Sequence, residues 1–142
     1  MTAEEYKERR DKVLNRPKAA PRYTQEEYDR YRLLCDSRIA KSIDDLPEKL
    51  RESLWIVIQY MSQQYPNTEE IYLRGSWTRG EGVTKETDPE FRRLRELIRH
   101  KTKVSDIDLV ISNVRDMFEL NGIKFDIIPH DTRAIKIWSK NL

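Results

Sequence analysis

Two short apolar segments carry aspartate where a strand tolerates it poorly: Ser105-Asp106-Ile107-Asp108-Leu109-Val110-Ile111 and Lys124-Phe125-Asp126-Ile127-Ile128-Pro129. Aspartate is depleted in strands, and burying an unpaired charge is costly. Alternate residues of a strand point to one face, so Asp106 and Asp108 are expected to project together. Asp126 joins them if the third strand lies beside the second. Three carboxylates on one patch repel each other unless a cation neutralises them. Mg²⁺, which takes a few carboxylates together with phosphate oxygens, is the simplest resident. Two such ions can clamp the attacking and leaving oxygens of a phosphoryl or nucleotidyl transfer. The plainer readings stay open here: Asp106 as a residue at the start of a strand, and Asp126 as the partner of Lys124 or Arg133.

The remaining patterning predicts helices before the sheet. Residues 3–14 have a sparse apolar stripe, and Pro17 and Pro21 mark a linker. Thr24 and Glu27 have capping-box spacing. The helix they open aligns Tyr28, Tyr31, Leu34, Cys35 and Ile39 on one face. Pro47 reads as a first-turn proline behind Asp44 and Asp45, followed by a stripe of Leu50, Leu54, Val57, Ile58, Met61 and Tyr65. Ile71–Leu73 reads as a strand ending at Gly75. A helix from residues 87–90 turns Phe91, Leu94, Leu97 and Ile98 inward and leaves Arg92, Arg93, Arg95 and Arg99 outside. After the Ile107–Ile111 strand, Ser112 or Asn113 is expected to cap a short helix ended by Gly122. Strands over Ile123–Ile128 and Ala134–Trp138 complete an α+β fold: amino-terminal helices, then a small mixed β-sheet.

Composition narrows the class. A chain of 142 residues suits one core. No apolar run approaches the ~18 residues of a membrane span, and MTAEEYKERRDK lacks the apolar stretch of a signal peptide. The single cysteine, Cys35, excludes an internal disulfide and a Cys-rich zinc site. A reducing cytoplasm is the expected compartment, with no membrane partner. The net charge is only +2, but residues 85–103 hold 7 basic and 4 acidic side chains. The basic excess is therefore local.

Upstream of the aspartates stands Leu73-Arg74-Gly75-Ser76-Trp77-Thr78-Arg79-Gly80. A strand running into Gly-Ser exposes backbone N–H groups that suit phosphate oxygens, and Gly75 allows close approach. It is not a Walker loop, since no Gly-Lys-Ser/Thr ending follows. Trp77, beside this loop, either stacks on a base or packs at the sheet edge. His130-Asp131 reads as a turn after Pro129, His100 as a helix end, and Cys35 as a small buried side chain.

Gly75-Ser76-x-x-Arg79-Gly80, Ser105-Asp106-Ile-Asp108-Leu109 and Lys124-Phe-Asp126-Ile-Ile together resemble the polymerase-beta-type nucleotidyltransferase superfamily, closest to its minimal single-domain prokaryotic members. The resemblance spans roughly residues 50–130. It implies a small nucleotidyltransferase core over 46–142 with helices on one side, and an amino-terminal helical arm or extension over 1–45. It further implies a metal-dependent transfer of a nucleoside monophosphate from an NTP to a hydroxyl, with pyrophosphate release. By the resemblance, Asp106 and Asp108 bind Mg²⁺ (or Mn²⁺) carrying the triphosphate. Asp126 positions a second metal and activates the hydroxyl. Gly75 and Ser76 hold the β and γ phosphates, with Arg79 as a further phosphate contact. Minimal members resemble antitoxins that nucleotidylate a toxin protein, and toxins that modify RNA ends, so the acceptor is expected to be a protein or RNA. Residues 1–45 are a candidate surface for a protein partner.

Two departures stand out. Residues 77–105 separate Gly-Ser from the Asp pair by 29 positions, longer than the family's spacing, and the excess is the basic helical insertion at about 85–103. It reads as a lid, as a surface for RNA, DNA or an acidic partner, or as an amphipathic helix with a solvated arginine face. The appended helical domain of larger relatives is also missing from this sequence. The rival from another class is a non-catalytic nucleotide-binding or partner-binding module on the same fold. A third reading is a Mg²⁺-dependent nuclease or phosphohydrolase, which gives Gly75-Ser76 no distinctive task.

Overall fold

The amino-terminal half is helical because its apolar residues recur at helical spacing, and each helix buries one stripe. The computed structural model describes residues 1–14 and 22–141. The expected linker at Pro17 and Pro21 lies outside them. Helix α1 (Ala3–Leu14) is exposed along its described side chains, apart from part-buried Asp11. Helix α2 (Gln25–Ser37) starts with the expected capping box: the Glu27 N–H donates to Thr24 Oγ1 at 3.1 Å, and the Thr24 N–H donates to Glu27 Oε1 at 2.9 Å. Tyr31 and Cys35 are buried, whereas Tyr28 and Ile39, expected on the same face, are exposed.

Helix α3 (Glu48–Gln64) buries Leu50, Leu54, Val57, Ile58 and Met61 as its period requires, but Tyr65 follows the helix and is exposed. Pro47 sits one position earlier than expected, at the N-cap, and Asp44 and Asp45 do not cap this helix. They belong to a 3-10 turn, Ile43–Asp45, whose Asp45 carboxylate accepts the backbone N–H groups of Lys41 and Ser42. A carboxylate two residues before a helix finds nearer donors behind it than ahead of it.

Strands β1 (Glu70–Arg74), β2 (Ile107–Val110), β3 (Asp116–Leu120), β4 (Ile123–Ile128) and β5 (Ile135–Ser139) form one mixed sheet in the order β3-β4-β2-β1-β5. Only β2 and β4 pair in parallel. The short helix expected after Ser112 or Asn113 is instead β3. Its alternating burial is a strand period, and Asn121 (φ 53°) and Gly122 (φ 76°) make a two-residue hairpin turn into β4. That turn chemistry favours a hairpin, and it stacks Phe118 on Phe125 at 5.6 Å. The chain thus leaves β2 for the sheet edge and returns between the two.

One face of the sheet is dry. Ile71, Leu73, Ile107, Leu109, Phe125 and Ile127 are fully buried and share a core with α3 and Trp77. Each such side chain contributes about 1.5–3 kcal/mol of burial. A second cluster joins α2 to helix α4 (Pro89–Arg99): Tyr31 stacks on Phe91 at 5.5 Å, with Cys35, Val83 and Leu94 around them. Arg30 holds Glu90 bidentately at 2.6 and 3.0 Å across this junction. Among the described residues, no helix is long and apolar enough to cross a membrane.

Candidate functional site

The open face of the sheet carries a charged row. Arg74 on β1 pairs in register with Asp108 on β2, and Asp108 with Asp126 on β4. Partner residues in a sheet share a face. Their neighbours Leu73, Leu109 and Ile127 fill the core on the other side, so the row faces away from it. Asp106 lies two residues before Asp108 and is exposed in the same cleft. This cleft, of about 450 Å³, is lined by Ser76, Arg79, Asp106 and Asp108 together with His100–Lys103. Gly75 and Asp126 are not part of its lining. A larger cleft of about 830 Å³, with Tyr72, Val110 and His130 in its lining, contains none of the sequence-predicted site residues.

Gly75 brings the loop against the carboxylate. A Cβ there would lie 2.3 Å from Asp108 Oδ2 and 3.1 Å from its Cγ, so no other residue fits without moving Asp108. The chain then tightens into a 3-10 turn, Ser76–Arg79, capped by Gly80. Trp77 is buried in the main core, so of its two expected roles it takes packing rather than base stacking.

Burial pushes the Asp108 carboxyl above its ordinary range; Arg74 and Arg79 oppose this, while Asp126 and Asp106 reinforce it. Asp108 therefore senses both neighbouring carboxylates. Neither Lys124 nor Arg133 pairs with Asp126 among the described residues; Arg133 reaches Asp131 at 3.8 Å instead. Arg74 is steadied from both sides, with Nε 3.0 Å from Asp131 Oδ2 and Nη1 3.9 Å from Asp108 Oδ1. Asp131 sits below the usual carboxylate range, held by the Arg133 backbone N–H and by Arg74. Thus the turn after Pro129 also anchors an arginine of the row.

Among the described residues, no three His, Cys, Asp or Glu side chains are grouped as a ready metal cage. The donor set nonetheless suits a hard cation that arrives with its phosphates: Mg²⁺ needs only one or two carboxylates besides phosphate oxygens and water. Asp108, with neighbours that raise its proton affinity by repulsion, meets that requirement.

Sequence reading gave Glu81 and Arg74 no role, took Asp131 only as part of a turn, and placed Arg95 outside, whereas Arg95 is buried. Glu81 is buried and accepts from the Tyr31 hydroxyl at 2.5 Å, from Arg99 Nε at 2.8 Å and Nη2 at 3.2 Å, and from Arg79 Nε at 3.2 Å. It ties α2 and α4 to the cleft arginine. Burial raises its proton affinity, but the bonds from Tyr31, Arg99 and Arg79 outweigh burial and bring the pKa down to about 2. Burial, reinforced by Glu81, pushes the Tyr31 hydroxyl up. A carboxyl whose folded pKa is depressed stabilises the fold above its unfolded pKa and loses that contribution as pH falls through the folded value. From 4.5 to about 2, this amounts to roughly 3 kcal/mol. Glu81→Gln is expected to lower stability at pH 7 by about 2–3 kcal/mol and to flatten the acid decline between roughly pH 5 and 2. Urea titrations across that range measure it; an unchanged acid slope would place the effect elsewhere.

No protein-family model, curated protein or solved structure matches this chain.

Proposed function

We propose that the protein is a metal-dependent nucleotidyltransferase that moves a nucleoside monophosphate from an NTP to a hydroxyl of a protein or RNA acceptor. The observation that carries this reading is the seat of Gly75 against Asp108, in register with Asp126. A phosphate-approaching loop and the carboxylate row meet at one point. Asp106 and Asp108 would hold Mg²⁺ or Mn²⁺, with Asp126 beside them, and the bound cation would neutralise the carboxylates and polarise phosphate oxygens. The Gly75-Ser76 backbone and Arg79 hold the β and γ phosphates. Asp126 orients the acceptor hydroxyl and takes its proton as the oxygen bonds to the α phosphorus. The bond from that phosphorus to the β-phosphate oxygen breaks, and pyrophosphate leaves.

The lack of a ready three-ligand metal cage among the described residues favours one rival, a non-catalytic nucleotide-binding module. Purified protein with Mg²⁺ or Mn²⁺, each of four α-labelled NTPs and lysate as acceptor source decides between them. Transfer of label is expected, and its appearance in the protein or RNA fraction identifies the acceptor. NTP binding with no transfer to any fraction supports the rival. Transfer to a toxin-like protein would place the chain in a toxin–antitoxin setting in the cytoplasm, with residues 1–45 as the partner surface to test next.

A further inference from the structure

The segment between the Gly-Ser loop and the aspartates returns to the cleft it interrupts. Its carboxyl-terminal part, His100–Lys103, lines the cleft together with Ser76, Arg79, Asp106 and Asp108. That part is held in place. Arg95 on α4, only 6% exposed, donates from Nη1 to the carbonyls of Lys101 at 3.3 Å and Lys103 at 3.0 Å, and from Nη2 to Ser105 Oγ at 3.4 Å. Ser105 Oγ in turn accepts the Val83 N–H at 2.9 Å. A buried guanidinium thus grips the loop by its backbone and leaves both lysines exposed. Among the described residues, no carboxylate lies within 4.0 Å of either lysine ammonium.

We infer that the Arg95-stapled loop His100–Lys103 is a binding site for the terminal phosphates of a linear polyphosphate, whether the tail of a nucleoside triphosphate or an inorganic chain. It rests on the nucleotidyl-transfer reading only for where the nucleoside would lie. Lys101 and Lys103 line one small cavity together with Arg79, which Glu81 also holds at 3.2 Å. With a cation at Asp106 and Asp108 of the same lining, the cavity would suit a compact ligand of dense negative charge. A nucleic-acid strand would need the basic surface to continue. The adjoining groove, lined by Arg22, Arg93, Glu96, Leu97, His100 and Thr102, interrupts it, because Glu96 stands within it and Arg93 is engaged by Glu27 at 3.6 Å.

The test titrates inorganic tripolyphosphate into the full chain by calorimetry at low salt and a fixed Mg²⁺ concentration. Wild type is compared with Lys101→Gln/Lys103→Gln and with Lys85→Gln/Arg92→Gln, which removes the same charge from exposed positions outside the cleft. Wild type is expected to bind, the first variant to bind roughly tenfold more weakly, and the second to change by less than about twofold. All four positions are exposed, and equal melting temperatures confirm intact folding. No binding by wild type, or equal weakening in both variants, overturns the assignment. So does lysine-dependent binding of a single-stranded oligonucleotide while tripolyphosphate fails to bind. A parallel ATP titration separates the sources: tighter ATP binding assigns the loop to a nucleotide tail, tighter tripolyphosphate binding to a free chain, and either supports the site. No acceptor is present, so lysine-dependent binding without label transfer elsewhere sinks the transferase and keeps this site, whereas the reverse sinks only the site.

Discussion

If the protein is the nucleotidyltransferase proposed above, Asp108→Asn is expected to cut that transfer at least about a thousandfold while melting no lower than wild type at pH 7. The two halves of this result have one cause. Asp108 lies under Gly75, in register with Asp126 and in the same cleft as Ser76 and Arg79. Burial there penalises its charge, Arg74 and Arg79 only partly compensate, and Asp126 and Asp106 add repulsion. A folded pKa raised above the unfolded value means that the ionised group costs stability at neutral pH, a cost relieved as pH falls. Asparagine keeps the shape and removes the charge, and Arg74 retains Asp131. A site residue that trades stability for chemistry behaves in this way. Label transfer and thermal melting on the same preparation check it. Retained transfer would remove Asp108 from the reacting centre, and a melting point several degrees lower would make it a structural partner of Arg74.

The second large effect is on stability. Gly80→Ala is expected to cost about 3 kcal/mol or more, from left-handed strain of about 1–2 kcal/mol together with a packing clash of similar or greater size. Gly80 has φ +75°, and a Cβ there would lie 1.8 Å from the Cys35 carbonyl oxygen and 2.6 Å from its carbon. That oxygen is backbone and accepts the Arg38 N–H at 2.9 Å, closing the end of α2. It cannot retreat without loosening the helix that carries Tyr31. Gly122→Ala is the matched control: φ is +76°, and nothing lies within 4 Å of the added carbon. It should cost only the backbone strain, about 1–2 kcal/mol. Urea unfolding with unchanged m-values separates the two; equal losses would mean that α2 yields freely at Cys35.

Much of this architecture could be read before the structure, where a local rule applied. The stripe of α3 and the Thr24–Glu27 box follow from helical periodicity and cap chemistry within a few residues. The two-residue strand period was expected to cover Asp106 and Asp108 together, but β2 begins at Ile107, so only Asp108 is a strand residue and Asp106 precedes it. The edge strand β3 was legible only from its turn, since Asn121-Gly122 is a hairpin signal, whereas Asp116-Met117-Phe118-Glu119-Leu120 does not alternate polar and apolar residues and its alternation appears only in burial. Ser112 and Asn113 offered a competing cap, and the helix reading followed it. Arg95 was not legible. By charge it belongs outside with Arg92 and Arg99, yet it is buried because the loop carbonyls at Lys101 and Lys103 need a donor.

Residue spacing thus placed Asp108 on a strand with Asp106 just before it, and Gly75 at the end of another, since covalent geometry dictates such relations. It had no means of choosing which strands would be neighbours. The pairing of Asp108 with Asp126 depends on the chain crossing to the sheet edge and returning between β2 and β3. The convergence of Glu81 on Tyr31 and Arg99 likewise joins residues 50 and 18 positions apart. Those meetings were decided by burial: α2 and α4 cover each other's apolar faces, as α3 covers the sheet, and only that packing brings their charged residues within reach.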